Sequence, residues 1–192
     1  MSIPEPAADG QVFVLQPFGS TPATQGLQVE GRLERGGDEV RVWYQLSGDL
    51  ESVVVPSPVT GTPTRRDGLW EHTCFELFLA VEGAEPYWEM NLAPNGDWNL
   101  YRLAGYRRGL QPVLDRDALP FGVRVGPMAL ELMVTLRLPQ ELTELCHEHP
   151  MRLGVTAVIE RRSGELSYWA LAHGQAEADF HQRKDFQLRL EP

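Results

Sequence analysis

The stretch Arg65 to Arg108, RRDGLWEHTCFELFLAVEGAEPYWEMNLAPNGDWNLYRLAGYRR, decides how this chain reads. Two apolar runs in it, CFELFLAV and YWEMNL, are too short for helices. They are bounded by Gly, Pro, Asn and Asp, as strands are. Inside these strands stand Glu76, Glu89 and Asn91, polar groups where a strand buried on both faces carries none. Period-2 alternation puts Phe75, Leu77 and Leu79 on one face and Cys74, Glu76 and Phe78 on the other. It likewise separates Tyr87, Glu89 and Asn91 from Trp88, Met90 and Leu92. If the two strands pair, Glu76 and Glu89 come within reach, since directly opposed Cβ atoms lie about 4.5–5.5 Å apart. The register itself is not set by the sequence.

Outward from this stretch the same grammar continues. Strands are expected at 12–16, 26–34, 39–46, 52–55, 73–81, 87–93, 98–103, 122–125, 129–138, 151–161, 166–171 and 186–190. Residues 129–138 alternate most cleanly, with Leu130, Leu132, Val134, Leu136 and Leu138 on the core side. The segments 35–38 (RGGD), 94–97 (PNGD) and 162–165 (RSGE) are hairpin turns, each supplying a residue that tolerates positive φ. Only 139–146 (PQELTELC) reads as helix, with Pro at its start and acidic residues in the first turn, and it is expected to cap one end of a sandwich. The loop 56–68, PSPVTGTPTRRDG, is a natural rim for a binding site. The expected fold is therefore an all-β antiparallel sandwich with one short helix, formed as a single domain over 1–192.

Composition narrows the function. Seventeen basic against 27 acidic residues give a net charge of −10, which repels phosphate backbones and anionic lipid, so neither nucleic acid nor a membrane surface is an expected partner. No apolar run approaches the roughly 20 residues of a membrane span, and MSIPEPAADG lacks the basic start and apolar core of a secretory signal. A cytoplasmic location is expected. The two cysteines, Cys74 and Cys146, are expected as buried thiols rather than a disulfide framework.

Three runs carry a resemblance: Gly68-Leu69-Trp70-Glu71-His72-Thr73-Cys74-Phe75-Glu76, then Tyr87-Trp88-Glu89-Met90-Asn91-Leu92, then Trp98, Tyr101 and Tyr106-Arg107. With Tyr168-Trp169-Ala170-Leu171-Ala172-His173 and Asp179-Phe180-His181, they span most of 65–190 and resemble the bacterial DOMON-like proteins, relatives of the family 9 carbohydrate-binding modules. The resemblance implies a jelly-roll-like sandwich in a superfamily whose better-known members bind sugars or haem without catalysing anything. It also implies that aromatic platforms, carboxylates and amides on one sheet hold the ligand. Matching residue types here are Trp70, Glu76, Glu89, Asn91, Trp98 and Tyr101, the expected ligand-binding set.

The reading is thus non-catalytic binding of a small polar ligand, a carbohydrate foremost. Aromatic rings suit sugar C–H faces, and carboxylates and amides suit sugar hydroxyls. Other readings remain open. Glu76 is an ion-pair partner of Arg102 or Arg107 if the second face is merely structural. Glu76 and Glu89 are a glycosidase pair if they hold the required separation. A metal site would draw on His72, His173, His181, Asp179 and Cys74, whose spacing is not that of a ligand motif. Haem would need Met90 with His72 or His173 as axial ligands, and Met90 shares parity with core residues. No resident cofactor or metal is expected, with haem and calcium as the exceptions to screen. Asp179 is expected to orient His181 and anchor the C-terminal loop.

Overall fold

The structure is a computed structural model that describes residues 10–57, 63–119 and 121–192. Most of the leader 1–10, read above for its lack of a signal, and the centre of the loop 56–68 lie outside the described residues. The strands in chain order are β1 (Gln11–Val14), β2 (Gln16–Pro17), β3 (Leu27–Gly36), β4 (Glu39–Gly48), β5 (Cys74–Val81), β6 (Tyr87–Leu92) and β7 (Trp98–Leu103). There follow β8 (Gln111–Pro112), β9 (Phe121–Val125), β10 (Ala129–Arg137), helix α1 (Gln140–Cys146), β11 (Met151–Glu160), β12 (Leu166–Ala170) and β13 (Leu188–Leu190). They form two antiparallel sheets. The smaller has the order β1-β3-β4-β10-β9; the larger runs β2-β12-β11-β5-β6-β7-β8, with β13 also pairing to β11.

Alternation explains how the sheets meet. From the small sheet Val40, Val42, Tyr44 and Leu46 of β4 face Leu130, Leu132, Val134 and Leu136 of β10, and these pack on Phe75, Leu77, Leu79, Trp88, Met90 and Leu92 of the large sheet in one core. Tyr44 crosses that core to donate its hydroxyl to the backbone carbonyl of Glu76 at 2.8 Å, tying the small sheet to the strand that carries the site. The three expected hairpin turns join β3 to β4, β6 to β7 and β11 to β12, with Gly37, Gly96 and Gly164 at positive φ. Helix α1 lays Leu142 and Cys146 on the core. Both cysteines are buried free thiols.

Three expectations change. Residues 52–55 are no strand but the end of a 3-10 turn (Leu50–Ser52) followed by a single bridge from Val53 to Arg161. The first strand breaks at Leu15, whose side chain turns into the core, so β1 joins the small sheet and β2 the large one. The final strand begins only at Leu188, because Arg183–Asp185 forms a 3-10 turn that presses Phe186 onto the outer face of the large sheet. Gly154 of β11 makes that possible: a Cβ there would lie 2.6 Å from the Phe186 ring.

Candidate functional site

The outer face of the large sheet is covered by loops rather than by a second sheet. Pairing puts Glu76 opposite Asn91 on one side and Thr156 on the other, and Phe78 opposite Glu89. Glu76 and Glu89 are therefore diagonal neighbours on one face, not the directly opposed pair the sequence allowed. Half of this face is sealed by the C-terminal segment, where Phe186 packs on Phe78 at 5.6 Å between ring centroids and on Tyr87 at 6.5 Å. The other half holds a cavity of about 430 Å³. Glu76, Phe78, Glu89 and Val158 form its floor, and Leu166 and Tyr168 of β12 continue it. Its walls are Trp70 and Glu71 from a 3-10 turn (Leu69–Glu71), Arg107 and Leu110 from the loop after β7, and Ala178, Phe180 and His181 from the loop after β12.

The two carboxyls are nearly dry, at 2% exposure for Glu76 and 5% for Glu89. The hydroxyl of Thr156 donates to Glu76 Oε2 at 2.9 Å, and the amide of Asn91 donates to Glu89 Oε1 at 2.8 Å. Burial, reinforced by the charge of Glu89, pushes Glu76 up to about 8. Burial raises Glu89 as well, while the Asn91 hydrogen bond and the positive charge of Arg107 restrain it. Both carboxyls are therefore harder to ionise than free ones.

Among the described residues neither carboxyl has an ion-pair partner. Arg102, one suggested partner for Glu76, instead binds Glu141 of α1 through two contacts of 2.7 Å. Arg107, the other, binds Asp179 at 2.9 Å. The structural reading of Glu76 as an arginine partner is corrected accordingly: both arginines pair with carboxylates away from Glu76, Arg102 with the exposed Glu141 and Arg107 with the half-buried Asp179.

Arg107 is held in an unusual posture. Its φ of 51° is positive, a conformation that costs a side-chain-bearing residue about 1–2 kcal/mol. Its backbone N–H donates to the Tyr87 hydroxyl at 3.2 Å and its guanidinium is fixed by Asp179. Asp179 also accepts from the Tyr106 hydroxyl at 2.5 Å and the Gln182 amide at 2.7 Å; these bonds hold its carboxylate far below the usual range even though burial opposes them. The Tyr87 hydroxyl also shares a hydrogen bond with His181 Nδ1, 2.9 Å away. Burial and the nearby Arg107 lower His181 to about 4, so the ring is neutral at pH 7. Asp179 orients this segment, as expected, though through the His181 backbone N–H at 3.1 Å rather than the ring.

Of the six residues singled out from sequence, Trp70, Glu76 and Glu89 line the cavity. Asn91 and Tyr101 share the same sheet face beside the cavity without lining it. Tyr101 is buried, donates to Asp67 at 2.5 Å, accepts from Asn99 at 2.6 Å, and meets the Trp70 ring edge-on at 6.1 Å. Trp98 is corrected: it points into the sandwich with Leu92 and Leu100, fully buried, under the Arg65 guanidinium at 4.2 Å. Parity with Leu100 was the available signal. Arg107, Tyr168, Phe180 and His181 were not anticipated as lining residues, because they converge from two loops and a distant strand.

The metal and haem alternatives find no common location. His72 is exposed and bonds Glu160 at 2.8 Å, His173 bonds the Gln16 carbonyl at 2.8 Å, and Met90 lies in the core between the sheets. Among the described residues no group of three His, Cys, Asp or Glu side chains is placed to hold a metal ion. No helix among them is long and apolar enough to cross a membrane.

No family model matches the sequence, and no curated protein matches it significantly. Among solved structures, the chain is similar to a candidate carbohydrate-binding protein from Bacteroides uniformis ATCC 8492, with a TM-score of 0.65 and 15% identity over 92% of this chain and 84% of that one. It is also matched to a family 9 carbohydrate-binding module from Caldicellulosiruptor kristjanssonii solved with cellotriose (TM-score 0.49, 10% identity, 88% of this chain and 75% of that chain). The same kind of module solved with glucose gives a TM-score of 0.45 at 13% identity, over 92% and 83% of the two chains. At such identities the likeness is one of fold.

Proposed function

We propose that this protein binds a small carbohydrate in the cavity on the outer face of the large sheet, without chemistry of its own. The observation that carries the reading is the meeting, in one cavity of about 430 Å³, of two buried carboxyls lacking a cationic partner with the rings of Trp70, Tyr168 and Phe180. Sugar hydroxyls donate to carboxylates in charge-assisted bonds, and sugar C–H faces lie on aromatic rings. Tyr168 and Phe180 brace one another edge-on at 6.0 Å, so this wall is preformed. The name of the Bacteroides uniformis neighbour supports the same reading. A DOMON-like relationship and a jelly-roll form, implied by the resemblance of 65–108 and 168–181, belong to this proposal too. So does a single domain acting in the cytoplasm.

A thermal-shift screen with glucose, galactose, xylose and cellobiose tests it, with haem and calcium as controls. A ligand at a hundredfold excess over its Kd stabilises the native state by about 2.7 kcal/mol, a shift of several degrees. A shift with one of these sugars and none with the controls is expected; sugars without effect beside a haem or calcium shift would overturn the reading.

A second reading draws on the carboxyl pair itself, since burial favours the protonated form of both and an acid beside a carboxylate is the pairing a glycosidase uses. Release of nitrophenol from aryl glycosides, abolished in Glu76→Gln, would establish it.

A further inference from the structure

The charge of the cavity is one-sided. Among the described residues, Glu71, Glu76 and Glu89 line it against a single cation, Arg107, which pairs with Asp179 at 2.9 Å. His181, the remaining basic group in the wall, is uncharged at pH 7. Two of the three carboxyls are almost fully buried, and among the described residues their hydrogen-bond donors are the neutral Thr156 hydroxyl and Asn91 amide. Beside them on the same face, the amide oxygen of Asn91 is buried without a hydrogen-bond partner among the described residues. The two buried carboxyls therefore line the cavity with no charged hydrogen-bond donor serving them among the described residues.

A neutral sugar answers this arrangement poorly. Its hydroxyls can donate, but burying a carboxylate under an uncharged ligand leaves the desolvation of the charge largely uncompensated. An ammonium group carries three N–H donors and a full positive charge. The flanking rings of Trp70, Tyr168 and Phe180 favour a cation as well, through their negative faces. We propose that the natural ligand is a sugar bearing a free amino group, its ammonium bound by Glu76 and Glu89 while the aromatic walls hold the ring. The proposal rests on the reading that this cavity binds a sugar and adds the ligand's charge to it.

Glucose, glucosamine and N-acetylglucosamine share one ring and differ at a single substituent, so calorimetric titration of all three at pH 7 isolates the amine. Glucosamine is expected to bind at least about tenfold more tightly than the other two, the worth of one charge-assisted contact. Because burial favours the protonated form of both carboxyls and an ammonium favours the ionised form, its binding should release protons. Titrations in two buffers of different ionisation enthalpy should therefore register proton release for glucosamine and none for glucose. In Glu89→Gln the preference for glucosamine over glucose should shrink to within about twofold, whatever happens to the affinities themselves. Glucosamine failing to bind, or binding no better than glucose, overturns the amine assignment. Binding of a neutral sugar in that case leaves the broader reading standing, so the two failures are distinguishable.

Discussion

On β5, β6 and β7 every second residue points into the sandwich and the others point away, and the two sets are equally dry but chemically unlike. Inward lie Phe75, Leu77, Leu79, Trp88, Met90, Leu92, Trp98 and Leu100, all within one apolar cluster. Outward lie Glu76, Phe78, Glu89, Asn91, Asn99 and Tyr101, each buried as well. What differs is the cover. The inner face meets another sheet, whose alternating apolar side chains pack on it in one cluster. The outer face meets loops and the C-terminal segment, which bring Trp70, Arg107, Phe180 and His181 over it and leave a cavity. Polar groups buried beneath a sheet would be a defect; the same groups beneath loops can be served by a ligand. The comparison teaches that the covering element, more than the degree of burial, marks where function resides.

The largest effect should come from breaking the inner face. Trp98→Ala empties a fully buried position and removes the ring beneath Arg65, which should cost about 3–5 kcal/mol in denaturant unfolding. Sugar affinity measured well below the transition should barely change. A loss of affinity with little loss of stability would reverse the roles assigned to the two faces.

Next comes the pH dependence that Glu76 gives the outer face. Glu76 titrates near 8 when folded, against an ordinary value of 4.5, so folding takes up a proton between those limits and stability falls as pH rises through them. The contribution is fully present below about 4.5 and lost by about 8. Glu76→Gln can still accept from the Thr156 hydroxyl and removes the titration. It should flatten the slope and raise stability at pH 8 by about 1 kcal/mol or more. A wild-type slope that the variant keeps would mean another group is responsible.

The smallest expected change in stability is at the rim. Trp70 is 37% exposed and contributes an edge contact to Tyr101, so Trp70→Ala should cost less than about 1 kcal/mol of folding free energy. Its loss as an aromatic wall should weaken sugar binding by roughly tenfold. Unchanged affinity in this variant would move the ligand away from the rim.

Much of this was legible in the sequence, for physical reasons that also explain the misses. Alternation identified the strands and put Glu89 and Asn91 on one face of their strand and Glu76 with Cys74 and Phe78 on one face of its own, because a pleated strand leaves side chains no other choice. The turns at Gly37, Gly96 and Gly164 were legible because few residues accept positive φ. Trp98 was misassigned because both faces of β7 are buried, so hydrophobicity alone does not say which side is the core; its parity with Leu100 does. The walls were out of reach. His181 is brought to Tyr87 across 94 positions and Asp179 to Arg107 across 72, and nothing local encodes such meetings. The diagonal offset of Glu76 and Glu89 likewise depends on strand register, which the tertiary fold sets.

The central claim, that the outer face serves a ligand and is not a second structural core, is tested most directly by Glu89→Gln, with melting temperature and affinity measured on the same preparation. The ligand is whichever panel sugar stabilises the wild type most. Glutamine keeps the size of the side chain and its contact with Asn91, and Glu89 has no ion pair to lose among the described residues. The melting temperature should therefore stay level or rise, while affinity falls by about 1.5–3 kcal/mol, roughly ten- to a hundredfold. A melting temperature that drops sharply while affinity holds would contradict the account and return Glu89 to a purely structural role.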